Sequence, residues 1–211
     1  GDAAVNDAAW PVLLYLAAAE AKAAEFDIEP DPALLKQRFA QATSDDTKAL
    51  ILFALSRGKH AEYGFLFRLW RGVDTLSPRA LACVALAMKA AEKTDEAKSA
   101  LEKLAKAAKE DHWEATSVAQ ADSANTTYAT TALAALAMAE IDPAHALLPK
   151  SRAWLLARRP KTAFERAALA LAMQTTPDKG GVTEVKVDGQ SVKGFGELTA
   201  TDGVVEPTGT G

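Results

Sequence analysis

Three groups of side chains are of the types that catalysis or metal binding requires. Ser44-Asp45-Asp46-Thr47 places two adjacent carboxylates between two hydroxyls, and a carboxylic acid kept protonated in such a cluster can donate a proton to a substrate. Cys83 is the single thiol, a candidate nucleophile or zinc ligand. His60, His112 and His145 are the imidazoles.

Each has a structural explanation as well. Serine and aspartate suit a helix N-terminus, where a side-chain oxygen accepts from orphan N–H groups and negative charge meets the dipole. Cys83 stands in Cys83-Val84-Ala85-Leu86, inside an apolar run, the setting of an inert thiol. The three histidines fall at no ligand spacing. His112-Trp113 lies in the longest connection, where functional residues gather, with packing of Trp113 over the rim of the helical body as the alternative. Asn125-Thr126-Thr127 has the form of a glycosylation sequon, and a capping role for Asn125 accounts for it. The expectation is therefore no catalytic, cofactor-binding or metal-binding residue, no cofactor, and a chain that is not an enzyme.

The elements that would carry these residues are legible from apolar periodicity. Apolar runs begin at positions 12, 49, 80, 132 and 167, and the gap between each two holds one amphipathic stretch. The first helix is expected from about Ala8 to Phe26 with Asp7 as cap, followed by one opened by Asp31-Pro32. Ser44 and Gly58 bracket the third, and His60 to Trp70 with Gly72 form the fourth. Ser77-Pro78 starts the fifth. Thr94 opens the sixth, where Ala97, Leu101, Leu104, Ala105 and Ala108 make the buried stripe and lysines a solvated face. The seventh follows Asn125 and stops at Asp142-Pro143. The eighth has Pro149 in its first turn and Ala153, Trp154, Leu155 and Leu156 towards the core. The ninth follows Pro160.

Helices that are apolar all round belong inside, and those with one apolar stripe outside. Leu14, Leu52, Leu86, Leu133 and Leu169 thus mark an expected inner layer. Nine alternating helices fit an α/α toroid, and also an open solenoid of helix pairs. Full burial of alternate helices favours the toroid.

At 211 residues and 49% hydrophobic, the chain can bury a full core. A net charge of −4 with interspersed signs gives no electrostatic case for nucleic acid. No apolar run reaches the length of a membrane span, and GDAAVND does not read as a signal peptide, which leaves location open. Eight of the twelve glycines lie from Gly180 onward. The expected division is a helical domain at 1–176 and a Gly-rich tail at 177–211 that starts a β domain. In the tail, Val182 to Val187 pairs with Gln190 to Val192 around Asp188-Gly189, and a hinge lies between Gln174 and Val182.

TTALAALAMAEIDP, SRAWLLARRP and ALALAM, with LILFALSRGKHAE and ALACVALAMKAAEKTDEAKSALEKLAKAAKE before them, resemble the thioester-containing α/α-toroid domain of the α-macroglobulin family, in its bacterial branch. VTEVKVDGQSV resembles the β segment that follows it. The resemblance implies a toroid of six helix pairs within a large secreted, periplasmic or envelope-anchored protein. It also implies a protease-trapping or defence role, with proteases and the other domains of the parent chain as partners. The family's Cys-Gly-Glu-Gln thioester motif has no counterpart, because Cys83 has no glutamine to close the bond. The chain is thus expected to be a non-catalytic toroid domain. A helical-pair scaffold for protein binding is one alternative. A toroid enzyme is the other, since Ser44 to Thr47 is similar to the Asp-x-Asp-Asp-Thr of class II terpenoid cyclases, with Thr43 in place of the first aspartate.

Overall fold

A computed structural model of the chain describes residues 9–23, 31–116 and 125–173, together with short strands within 185–206. The chain divides into two units, Gly1–Gln174 and Thr175–Gly211. The first is helical. Among the described residues it contains α1 (Ala9–Ala23), α2 (Ala33–Gln41), α3 (Asp45–Arg57), α4 (Tyr63–Arg71), α5 (Pro78–Ala90) and α6 (Thr94–Lys106). These are followed by α7 (Thr127–Ile141), α8 (Leu147–Leu156) and α9 (Ala163–Met173), and a 3₁₀ turn at Val73–Thr75 precedes α5.

Local chemistry sets the boundaries. Ser44 caps α3 by accepting from the Thr47 N–H at 3.1 Å, and Ser77 caps α5 through Ala80 in the same way. Asp31 accepts from the Ala33 N–H to open α2. The cap expected of Asn125 belongs instead to Thr126, whose hydroxyl takes the Ala129 N–H at 3.0 Å. Asn125 is turned away, donating to the Thr116 carbonyl. α4 begins at Tyr63, not His60, because Lys59 adopts a left-handed φ of 60° and His60 bonds back to the Leu55 carbonyl, so residues 59–62 form the turn. The Asp7 cap and the extension of α1 to Phe26 lie outside the described residues.

Burial separates two classes of helix. From Ala49 to Ser56 in α3, Arg79 to Met88 in α5 and Tyr128 to Ala139 in α7, every side chain is buried. α2, α4, α6 and α8 bury one stripe each, such as Leu66 and Leu69 of α4, or Ala97, Ala100, Leu101 and Leu104 of α6. Every substantial contact of an even-numbered helix is with an odd-numbered one, while α1 packs on α3, α3 on α5, α5 on α7, α7 on α9, and α9 on α1.

Two expectations need correction. Leu14 of α1 is 67% exposed, and Leu169 of α9 is only partly buried. α1 and α9 each pack substantially on one even-numbered helix, α2 and α8 respectively, where α3, α5 and α7 each pack on two. In α8, Ala153 and Leu156 face outward, with Leu156 68% exposed. α8 packs substantially on α7 and α9 only, so one stripe turns inward, and that stripe is Leu148, Ser151, Trp154 and Leu155.

One close approach fixes α1. The Tyr15 ring lies over Gly58 at the end of α3, so that a Cβ built there would come within 2.1 Å of the phenol oxygen. The hydroxyl meets His60 Nδ1 at 2.6 Å.

In the second unit, Val185–Val187 pairs antiparallel with Gln190–Val192 on one edge and with Val205–Glu206 on the other. Asp188-Gly189 and the expected hinge, Gln174 to Val182, lie outside the described residues.

Candidate functional site

Apart from Ser56 late in α3 and Ser151 in α8, the buried polar residues described in the helical unit lie near the N-terminal ends of odd-numbered helices: Thr47 in α3, Arg79 in α5, Thr130 and Thr131 in α7 and Glu165 in α9. This is the place to look for chemistry, since helix N-termini supply oriented N–H donors.

Asp46, one of the paired carboxylates, accepts from the Ser77 hydroxyl and lies 3.4 Å from Arg79 Nε. It thereby ties the start of α3 to the start of α5. Ser44 is occupied as cap and also donates to the Thr47 hydroxyl at 2.9 Å, while Asp45 is exposed. The Ser44 to Thr47 cluster is therefore engaged in capping α3 and, through the Asp46 carboxylate beside Ser77 and Arg79, in joining it to α5.

Glu165 forms the matching junction between α7 and α9. Its carboxylate accepts from the backbone N–H groups of Lys161 and Thr162 and from the Thr126 hydroxyl at 2.7 Å, while Thr162 Oγ1 accepts from the Glu165 N–H. Thr162 and Glu165 are a reciprocal capping box. The spacing Thr-x-x-Glu before an apolar run carries that signal in the sequence. Tyr128 lies close by and donates to the Leu155 carbonyl. Burial, and then the Glu165 carboxylate, raise its phenol above the usual tyrosine range.

Cys83 is fully buried one turn along α5 from Arg79. Burial pushes its thiol up to about 12, against the opposing pull of the Arg79 guanidinium and with a smaller push from Asp46. A nucleophilic or zinc-bound cysteine needs the thiolate, and this environment disfavours it.

The histidines are dispersed. His60 is held by Tyr15. His145 Nδ1 accepts from the Leu147 N–H at 3.2 Å, opening α8 as an aspartate would. His112 bonds Asp111 at 2.9 Å and stacks on Trp154, with centroids 4.9 Å apart and planes 9° from parallel. Among the described residues no cluster of three or more His, Cys, Asp or Glu could hold a metal ion.

Trp113 is not draped over a rim. It is fully buried, with Nε1 donating to the Leu104 carbonyl at 2.7 Å and its N–H to Thr131 Oγ1 at 3.1 Å. Residues 113–116 run beside the first turns of α7, bound by Thr131, Thr127 and Asn125.

Two grooves open to solvent. One, of about 340 Å³, has walls of Phe39, Leu52, Leu55 and Phe65, with Lys36, His60 and Glu62 beside them. Lys36 and Glu62 stand 3.9 Å apart at its edge. The other, of about 400 Å³, lies between α6 and the α7–α8 turn and is lined by Lys98, Leu101, Glu102, Ile141, Asp142 and His145. Neither reaches the polar residues at the N-terminal ends described above.

No family model, curated protein or solved structure matches the chain. No helix among the described residues is long and apolar enough to cross a membrane.

Proposed function

We propose that the helical unit is an α/α toroid, with α1, α3, α5, α7 and α9 inside and the even-numbered helices outside, acting as a non-catalytic protein-interaction domain. On this reading it belongs to a large α-macroglobulin-like protein that traps proteases in a defence role. The observation that carries the reading is the circuit of contacts in which each odd-numbered helix packs on the next and α9 packs on α1. Its non-catalytic character is supported by the work already assigned to the candidate groups, with Ser44, Asp46, Thr126 and Glu165 joining helix ends and Cys83 sealed in the core.

A second reading has its own observation. The exposure of Leu14 on α1, and the single even-numbered neighbour of each of α1 and α9, are what the two ends of an open helical-pair scaffold would present.

Hydrogen exchange on a Leu16→Asp variant separates the two. Leu16 is buried on α1, so the charge undocks that helix. In a ring, amides of α9 lose protection along with those of α1, because the two are neighbours. Unchanged protection in α9 would mean that they are opposite ends of an open array. The assignment to a protease trap is tested on the full-length parent, which should retain added trypsin or elastase in a complex stable to gel filtration. Free elution of both enzymes would overturn it.

A further inference from the structure

The groove formed by α2, α3 and α4 is apolar inside and carries charge of both signs at its edge. Leu52 and Leu55 of α3 line it, with Phe39 of α2 and Phe65 of α4, whose rings stand 5.0 Å apart with planes at 55°. Its volume of about 340 Å³ is near the lower end for small-molecule sites, which start at about 300 Å³ and are apolar with a few placed polar groups. Here those groups include Lys36 from α2 and Glu62 from the start of α4, 3.9 Å apart.

The two charges are only loosely engaged with each other. Glu62 holds the N-cap position of α4, yet its carboxylate makes no capping bond there. The side chains of the pair are 49% and 62% exposed, and ion pairs so exposed contribute little on their own. A ligand can therefore take over both charges at small loss. His60 also lines the groove. Its Nδ1 meets the Tyr15 hydroxyl at 2.6 Å, which leaves Nε2 as the remaining polar atom of the ring.

Charge complementarity selects the occupant. A simple anion would meet Lys36 and be repelled by Glu62, and a simple cation would meet Glu62 and be repelled by Lys36. A neutral molecule would gain from neither. An α-amino acid carries a carboxylate and an ammonium on one carbon, so it answers both charges at once. The aromatic and aliphatic walls call for an apolar side chain, and the volume holds one residue.

We propose that this groove binds a free apolar α-amino acid of leucine or phenylalanine size, with its carboxylate on Lys36, its ammonium on Glu62 and its side chain against Phe39 and Phe65. The site is independent of the ring and of the protease-trap reading, neither of which it needs.

The test is calorimetric titration of the whole 211-residue chain with L-phenylalanine, followed by amide resonances. Binding should be saturable and sub-millimolar, with shifts centred on residues 36–65. Three probes each lack one recognised part: 3-phenylpropanoate the ammonium, phenethylamine the carboxylate, and glycine the side chain. Each should bind about tenfold or more weakly. Lys36→Met and Glu62→Gln, both altered at exposed positions, should weaken phenylalanine to a similar degree. In Lys36→Met the preference for phenylalanine over phenethylamine should vanish, a readout that loss of folding cannot mimic. Equal binding of 3-phenylpropanoate or phenethylamine to the wild type would overturn recognition of a zwitterion without requiring any variant to fold. Equal binding of N-acetyl-phenylalaninamide would assign the groove to a peptide side chain and overturn the free amino acid. Resonance shifts elsewhere, or no binding of phenylalanine or leucine, would sink the site.

Discussion

Arg57, the last residue of α3, and Glu140, next to the end of α7, meet at 2.8 Å across 83 positions of sequence. α5 packs against both of these helices, so the pair bridges two helices that share a neighbour, at their C-terminal ends. Asp46 with Arg79, and Thr126 with Glu165, join helices at the opposite ends. Both partners of the Arg57–Glu140 pair are about three-quarters buried, which places it between a screened surface pair and a desolvated one. A double-mutant cycle of Arg57→Met and Glu140→Gln in urea should give a coupling of about 1 kcal/mol. Additive single effects would show that the contact holds nothing together.

Two of the positions expected in the inner layer give a contrast. Leu133→Ala empties a fully enclosed site on α7 and should cost about 2–5 kcal/mol. Leu14→Ala on α1 removes a mostly exposed side chain and should change stability by under about 0.5 kcal/mol. Equal losses in urea denaturation would mean that Leu14 is covered in solution.

Cys83 makes stability fall with alkaline pH. The folded thiol is raised to about 12 from an ordinary value of 9.0, so the unfolded chain loses its proton first. The contribution is fully present below about pH 9 and is lost as pH rises towards 12, by up to a few kcal/mol, at about 1.4 kcal/mol per unit. Urea midpoints between pH 8 and 11 should fall more steeply in the wild type than in Cys83→Ala. Tyr128, raised in the same sense, supplies part of any slope that remains in the variant. Parallel curves for the two proteins would contradict a sealed thiol, as would labelling of the native thiol at the rate of a free one.

What the sequence revealed follows the range of the forces involved. Alternation of all-apolar and one-sided helices is a local pattern, so α3, α5 and α7 could be identified as interior from residues alone. Ser44 and Ser77 likewise act within one turn. The exposure of Leu14 depends on which helices cover α1, and such coverage has no local signature. The burial of Trp113 has no local signature either, because its partners, the Leu104 carbonyl and Thr131, belong to two different helices. Arg79 is a second case: the buried cation of an apolar helix meets Asp46, 33 positions earlier, a partner with no local signature.

Gly58 sits at φ −87°, where any residue is comfortable, so the backbone does not demand glycine there. What demands it is the volume taken by the Tyr15 ring. Exchanging glycine for alanine at a permissive φ ordinarily strengthens a protein by stiffening its unfolded chain. At this position the added methyl would compete with an aromatic ring for the same space, and the usual gain turns into a loss. The residue that ends the third helix is thus also the seat of the first, and the chain keeps it small for a neighbour 43 positions away.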